Sequence, residues 1–412
     1  MDERCSIEMM EATRLTREGR LKEAMAVLRG ALLGVSPSVC RSDTQRFGGA
    51  PDILDPMRPS IAKGCWELPP SGKAFSWSRR ARPSKPLPKA LNDFLDRFGH
   101  APPFELEGLV GPSVGDPQII VPKGAQYKLR NYANGDGCRA YKLYIPSGYT
   151  GQAIPLVVML HGGTQSPDDF AAGTRMNDLA EEHTFLVAYP EQPRSANASR
   201  CWNWFNVSHQ QRDQGEPSLI AGITRQIMHD LAVNPGRVYV AGLSAGGAAA
   251  VIMGVTYPDL YAAIGVHSGL PCGSATDLPS AFAAMRQGRS PPSSGSHRRR
   301  KSGTCAVPTI VFHGDRDMIV NPINGDQIVA QSKPVEGLRA TTTRGHASGG
   351  MSYTRTVQAD EGGMPILEYW VLHGAGHAWS GGSPAGSYTE PGGPDASREM
   401  IRFFFERPVK LA

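Results

Sequence analysis

From about residue 125 onward, two periods of apolar spacing take turns along the chain. Residues 139–146 alternate, with Tyr141, Leu143 and Ile145 on one face, which predicts a strand with one buried side. Residues 155–161 (PLVVMLH) and 185–189 are continuous apolar runs, the pattern of strands buried on both faces. Further strands are predicted over 237–243, 261–267, 308–313 and 365–372. Between them apolar residues recur at helical spacing. Helices are predicted over 168–183, over 218–234 with Ile220, Ile223, Ile227 and Leu231 on one stripe, over 244–257, around Gln327, and over 395–406. Strands that alternate with helices predict an α/β fold, a mostly parallel sheet with helices on both faces. In such a sheet the functional groups gather at the carboxyl ends of the strands.

The remainder of the chain follows other patterns. Leu21, Ala24, Met25, Leu28 and Leu32 fall at helical spacing, and Gly19 and Gly34 interrupt it, so residues 1–34 are expected to form a short helical hairpin. A hairpin this short is unstable alone and must dock on something. Residues 35–122 are rich in Pro and Gly and include the basic run RRARPSKPLPK; they are expected to be a largely disordered linker, with a helical turn over 90–98. Residues 123–412 then form the main domain, interrupted at 286–304 by a polar, basic loop containing SPPSSGSHRRRKSG.

Composition narrows the function classes. The net charge of +5 sits in local runs rather than along one periodic face, so no nucleic-acid partner is expected. No apolar window reaches the roughly 18 residues that a membrane span needs. The first twenty residues are charged throughout and lack the basic-then-apolar order of a secretory leader, which favours a cytoplasmic location. The seven Cys are odd in number and contain no C-x-x-C pair, so neither a zinc site nor a full disulfide framework is implied. A single Cys272–Cys305 bridge stays open.

The sharpest chemical signal is Gly242-Leu243-Ser244-Ala245-Gly246, placed between the predicted strand RVYVAGL and a helix of small residues. G-x-S-x-G in that context is the nucleophile elbow of serine hydrolases, in which the glycines remove side chains that would collide around a strained Ser. An alkoxide formed at Ser244 needs two N–H donors. Ala245 supplies one, and the loop Leu160-His161-Gly162-Gly163-Thr164 offers the other at Gly163. His161 itself reads as structural. The acid is expected next in chain order. Asp315 and Asp317 compete after the strand PTIVFH; Asp317 lies further out on the loop and is preferred, with Asp315 bracing the turn. The base follows the last strand. His377 lies in a Gly-flanked loop and is preferred over His373, which is expected to point into packing at the strand end.

The segments LHGGTQSPDDFAAGTRMN, CWNWFNVSHQQRDQGEPSLIAGI, VAGLSAGGAAAV, FHGDRDMIVNP and GAGHAWSGG resemble the polyhydroxybutyrate (PHB) depolymerase family of esterases, itself similar to carbohydrate esterases that release acetyl or feruloyl groups. The resemblance covers roughly residues 125–406. It implies the α/β-hydrolase fold, the triad Ser244, Asp317 and His377, no cofactor and no metal. It also implies that Trp202, Trp204 and Trp379 lie by the substrate cleft, core packing being the alternative for each. The family commonly carries Cys where this chain has Gly163, which leaves Cys201 as a free thiol. Many members are secreted, so an extracellular location is the alternative. Three functions follow from these readings. The first is hydrolysis of short-chain hydroxyalkanoate esters or oligomers through an acyl-enzyme. The second is acetyl or feruloyl ester hydrolysis on plant polysaccharides. The third is binding to a storage granule or protein partner through the N-terminal hairpin. The oligomeric state is not legible.

Overall fold

Among the described residues, ten strands pair into one sheet, in the order β1-β2-β4-β3-β5-β6-β7-β10-β9-β8. The computed structural model describes residues 117–288, 307–333 and 337–407. The expected hairpin at 1–34, the linker up to residue 116, most of the 286–304 loop and Cys305 lie outside the described residues. In chain order the strands are β1 (Gln126–Asn134), β2 (Gly137–Ile145), β3 (Ile154–Leu160), β4 (Leu186–Pro190), β5 (Val233–Leu243), β6 (Ala263–His267), β7 (Thr309–Gly314), β8 (Arg339–His346), β9 (Ser352–Ala359) and β10 (Pro365–Leu372). The helices are α1 (Pro167–Thr174), α2 (Met176–His183), α3 (Gly215–Asp230), α4 (Ala245–Thr256), α5 (Leu278–Gln287), α6 (Ile323–Ser332) and α7 (Ala396–Phe405). A two-stranded ribbon, β11 (Trp379–Ser380) with β12 (Thr389–Glu390), lies outside the main sheet, and Val207–Gln210 form a single turn of 3-10 helix.

The middle of the sheet, from β4 through β3, β5, β6 and β7 to β10, is parallel. These strands are the continuous apolar runs of the sequence. A parallel strand needs a crossover on a face of the sheet, so both faces are covered and most side chains are apolar. Two buried clusters result. One face packs Val158, Val240, Val266 and Val311 against Ile220, Ile223 and Ile227 of α3 and the alanines of α4. The other packs Met159, Ala241, Ile310 and Phe312 against Met176 of α2 and Phe403 and Phe404 of α7. No helix among the described residues is long and apolar enough to cross a membrane.

The fold has the expected class, and its differences from the sequence reading have local causes. The predicted helix over 168–183 is two helices, broken at Arg175, whose φ is +54°. The break lies where the loop of residues 382–386 and the start of α7 pack onto α1: Ser383 N–H donates to Gly173 O, and the Ser397 hydroxyl donates to Thr174 O. Strand β5 begins at Val233 rather than 237, because a register shift lets it run through Pro235-Gly236. The antiparallel borders, β1 at one end and β8–β9 at the other, were not predicted. Strand β8 (RATTTRGH) is almost wholly exposed and has no apolar period to read.

One polar cluster ties the outer elements to the core. Glu368 of β10 is fully buried and accepts from Arg355 Nε at 2.8 Å, Arg402 Nη2 at 2.6 Å and Trp370 Nε1 at 2.8 Å. Burial alone would raise the carboxyl pKa, but the two guanidinium groups hold it below its ordinary value. Glu368→Ala would take the carboxylate from Arg355 and leave Arg402 with Glu399 and Glu406 alone. Urea unfolding is expected to show a loss of about 2–3 kcal/mol, with the secondary structure unchanged before the transition.

Candidate active site

The carboxyl ends of β3, β5, β7 and β10 bring the chosen residues to one edge of the sheet. Ser244 sits between β5 and α4 with φ +57° and ψ −117°, a backbone conformation that non-glycine residues rarely adopt. Its N–H is held by His267 O at 2.9 Å. The glycines on either side explain how the turn closes. A Cβ on Gly242 would meet Gly246 O, and one on Gly246 would meet Leu160 O. The elbow therefore rests directly on the backbone of β3.

Asp317 is fixed by its own turn. Its Oδ1 accepts the N–H groups of Ile319 at 2.9 Å and Val320 at 2.8 Å, and its Oδ2 lies 2.7 Å from His377 Nδ1. Both side chains are almost completely buried. Burial would raise the Asp317 carboxyl, but His377 and His313 beside it hold it well below the ordinary carboxylate range. A carboxylate only accepts, so His377 Nδ1 carries the proton and Nε2 is left for the cleft that His377 and Ser244 both line. The two loops are laced together: Asp315 N–H donates to Leu372 O and Arg316 N–H to Ala375 O.

The loop after β3 is equally constrained. His161 is buried; its Nε2 accepts Gln192 N–H at 3.1 Å, so Nδ1 carries the proton that goes to Gly162 O at 2.8 Å. Burial pushes its pKa down to about 4, and the ring stays neutral. Trp202 Nε1 donates to His161 O, Gly162 N–H goes to Gln165 Oε1, and Thr164 N–H goes to Ser199 O. The N–H of Gly163 meets no protein acceptor among the described residues. Ala245 opens α4, so its N–H has no acceptor within the helix. Gly163, Ala245, Ser244 and His377 all line one cleft. Leu270, Phe282, Met285, Val320, Trp204 and Phe205 make its wall apolar.

Two of the three tryptophans expected by the cleft do not line it. Trp204 does, but Trp202 is fully buried beneath the Gly162 loop, and Trp379 is buried against Phe170 with its Nε1 on Ser397 Oγ. Indole N–H groups in a core need an acceptor, and the backbone at His161 and the hydroxyl of Ser397 satisfy them there. His373 also departs from expectation. It is exposed rather than packed, and bonds Asp315 Oδ2 at 2.9 Å and Thr354 Oγ1 at 2.8 Å. Gly374, at φ +84°, turns the chain outward immediately after it. Asp315 braces this turn rather than its own, accepting Gly374 N–H at 2.7 Å. Cys201 is a free thiol whose pKa burial pushes up to about 12.

Two fully buried imidazoles were not singled out from the sequence, His267 and His313. His313 donates from Nε2 to Val320 O at 2.8 Å and stands 3.5 Å from Asp317 Oδ2. The signal for both was a His at the carboxyl end of a largely apolar strand, in AIGVH and TIVFHG.

Comparison with known proteins places this arrangement. Residues 139–354 match the family model described as esterase PHB depolymerase. The chain belongs to the esterase PHB depolymerase family. Within and around it, poly(3-hydroxyalkanoate) depolymerase C of Paucimonas lemoignei is 32% identical over 255 residues, 61% of this chain and 61% of that protein. Poly(3-hydroxybutyrate) depolymerase of Ralstonia pickettii is 27% identical over 241 residues, 55% of this chain and 48% of that protein. The chain thus spans about half to three fifths of the length of these depolymerases. The solved acetyl xylan esterase from Aspergillus awamori superposes with a TM-score of 0.51 at 20% identity, covering 68% of this chain and 99% of that one. It shares the α/β-hydrolase fold.

Two predictions follow for this family member. Asp317→Asn is expected to lower kcat on a p-nitrophenyl ester by about 10³–10⁴, because the imidazole loses its orientation, whereas Asp315→Asn stays within about twofold. A Cβ built on Gly163 lies 3.8 Å from Cys201 Cβ, inside the range that a disulfide spans. Gly163→Cys is expected to oxidise to a 163–201 bridge, seen as loss of both thiols to an alkylating label.

Proposed function

We propose that this chain hydrolyses carboxylic esters through an acyl-enzyme on Ser244. The observation that carries the reading is the cleft that Ser244 and His377 share, with His377 Nδ1 2.7 Å from a buried Asp317. Ser244 Oγ attacks the ester carbonyl while His377 Nε2 takes its proton. The tetrahedral oxyanion is received by the N–H groups of Gly163 and Ala245 at the positive end of α4. Collapse expels the alcohol, which takes the proton from His377. Water then repeats the sequence, releasing the acid and restoring Ser244. Asp317 stabilises the imidazolium formed in each half.

The substrate we assign is a short-chain hydroxyalkanoate ester or oligomer. Leu270, Phe282, Met285 and Val320 offer an aliphatic acyl group a wall of matching polarity. A sugar hydroxyl set against those four side chains would find no hydrogen-bond partner in them, at about 1–3 kcal/mol each. The names of the two depolymerase relatives agree with this chemistry.

A substrate panel on purified protein tests the proposal. Hydroxybutyrate oligomers and p-nitrophenyl butyrate are expected to turn over faster than acetylated or feruloylated xylan. Ser244→Ala is expected to reduce all rates to the residual level, about 10⁶ below the parent enzyme. Parent-level turnover by that variant would remove the assignment of the nucleophile. Preference for acylated xylan would keep the chemistry and replace the substrate.

A further inference from the structure

His267 belongs to no step of the reaction above, yet it touches the chain segments that carry all three reacting side chains. It ends β6, paired beside Leu243 of β5 on one side and Phe312 of β7 on the other. Its carbonyl oxygen accepts the N–H of Ser244 at 2.9 Å. Its ring Nε2 accepts the N–H of Ser380 at 3.0 Å, three residues beyond His377. The ring stacks on Trp379, with centroids 5.3 Å apart, and on Phe312, at 5.8 Å and an interplanar angle of 10°. Phe312 is in the strand that leads to Asp317.

We propose that His267 is a positioning residue for the reaction, a neutral imidazole whose Nε2 fixes the loop of His377 while its carbonyl fixes the backbone of Ser244. The inference rests on the triad reading given above. The tautomer follows from the contacts. A backbone N–H only donates, so Nε2 is the acceptor and Nδ1 carries the proton, directed at Ser268 Oγ 3.2 Å away. Protonation of Nε2 would set two donors against each other and release Ser380. Burial opposes it first, and the imidazoles of His313 and His377 oppose it further, while Asp317 favours it; the pKa falls to about 3. The ring therefore keeps its acceptor at neutral pH. An apolar ring would stack as well but offer Ser380 nothing, and an unpaired buried N–H is relieved by movement of the strand that carries it. That strand, β11, begins two residues after His377. Displacement of a catalytic group by a fraction of an ångström is felt in turnover more than in binding.

Two amides separate this role from packing alone. Gln at 267 places an oxygen where Nε2 stands, and Asn places one where Nδ1 stands, out of reach of Ser380. Parent, His267→Gln, His267→Asn and Ser244→Ala are assayed on p-nitrophenyl butyrate, with active sites counted by fluorophosphonate labelling of Ser244. His267→Gln is expected to keep kcat within about threefold, and His267→Asn to lose about tenfold or more at a KM within twofold. Equal kcat per labelled site in the two amides, with Ser244→Ala inactive, overturns the positioning role and leaves the triad standing. Parent-level rates in Ser244→Ala overturn the triad itself. If His267→Asn does not fold, His267→Phe takes its place, since it keeps the stack and lacks the acceptor. Parent-level kcat in folded His267→Phe then overturns the proposal.

Discussion

The close approach of two backbones at the end of β5 governs the rest of the site. Ser244 reaches the cleft only because its turn is held at a positive φ, and the turn closes only because positions 242 and 246 lack a Cβ. That contact sets Gly246 against Leu160 and His161, so the elbow and the loop carrying Gly163 are in effect one rigid body. Strain of this kind costs about 1–3 kcal/mol and persists only where the surroundings over-determine it. Here the surroundings are parallel strands buried on both faces, and a carbonyl of β6 that takes the Ser244 N–H.

The same features were legible in the chain to different degrees. The buried strands announced themselves as apolar runs, and the elbow as glycines around a Ser between such a run and a helix of small residues. Asp317 and His377 were preferred to Asp315 and His373 by position on their loops, and the structure pairs those two with each other and sets His377 on the cleft. What the sequence hid was set by tertiary contact. Trp202 and Trp379 look like cleft residues in their motifs, and only the three-dimensional arrangement supplies His161 O and Ser397 Oγ as acceptors that let them be buried. The break at Arg175 depends on a loop more than two hundred residues away. Strands β1, β8 and β9 have one face or both in water, and a strand with little to bury carries little period.

Histidines at strand ends form a pattern of their own. His161, His267 and His313 each close or follow a buried parallel strand, and each is almost fully buried. All bond backbone groups of loops at the active edge: Gly162 and Gln192, Ser380, and Val320 respectively. A neutral imidazole offers one donor and one acceptor on a flat, stackable frame, which suits a site where loops meet out of register. The imidazole placed to change its charge, His377, comes instead from a loop and pairs with a buried carboxylate.

Among the described residues, strand β8 closes the sheet on one side with its outer backbone groups unmatched by any other strand, and its side chains are almost all in water. Such an edge is a template on which another chain can crystallise its own strand. Arg339 and Arg344 stand near its two ends, both exposed. A second copy laid alongside in antiparallel fashion brings guanidinium towards guanidinium, a repulsion that dilute electrolyte leaves intact and concentrated electrolyte erases. That repulsion works against edge-to-edge pairing of two copies along β8.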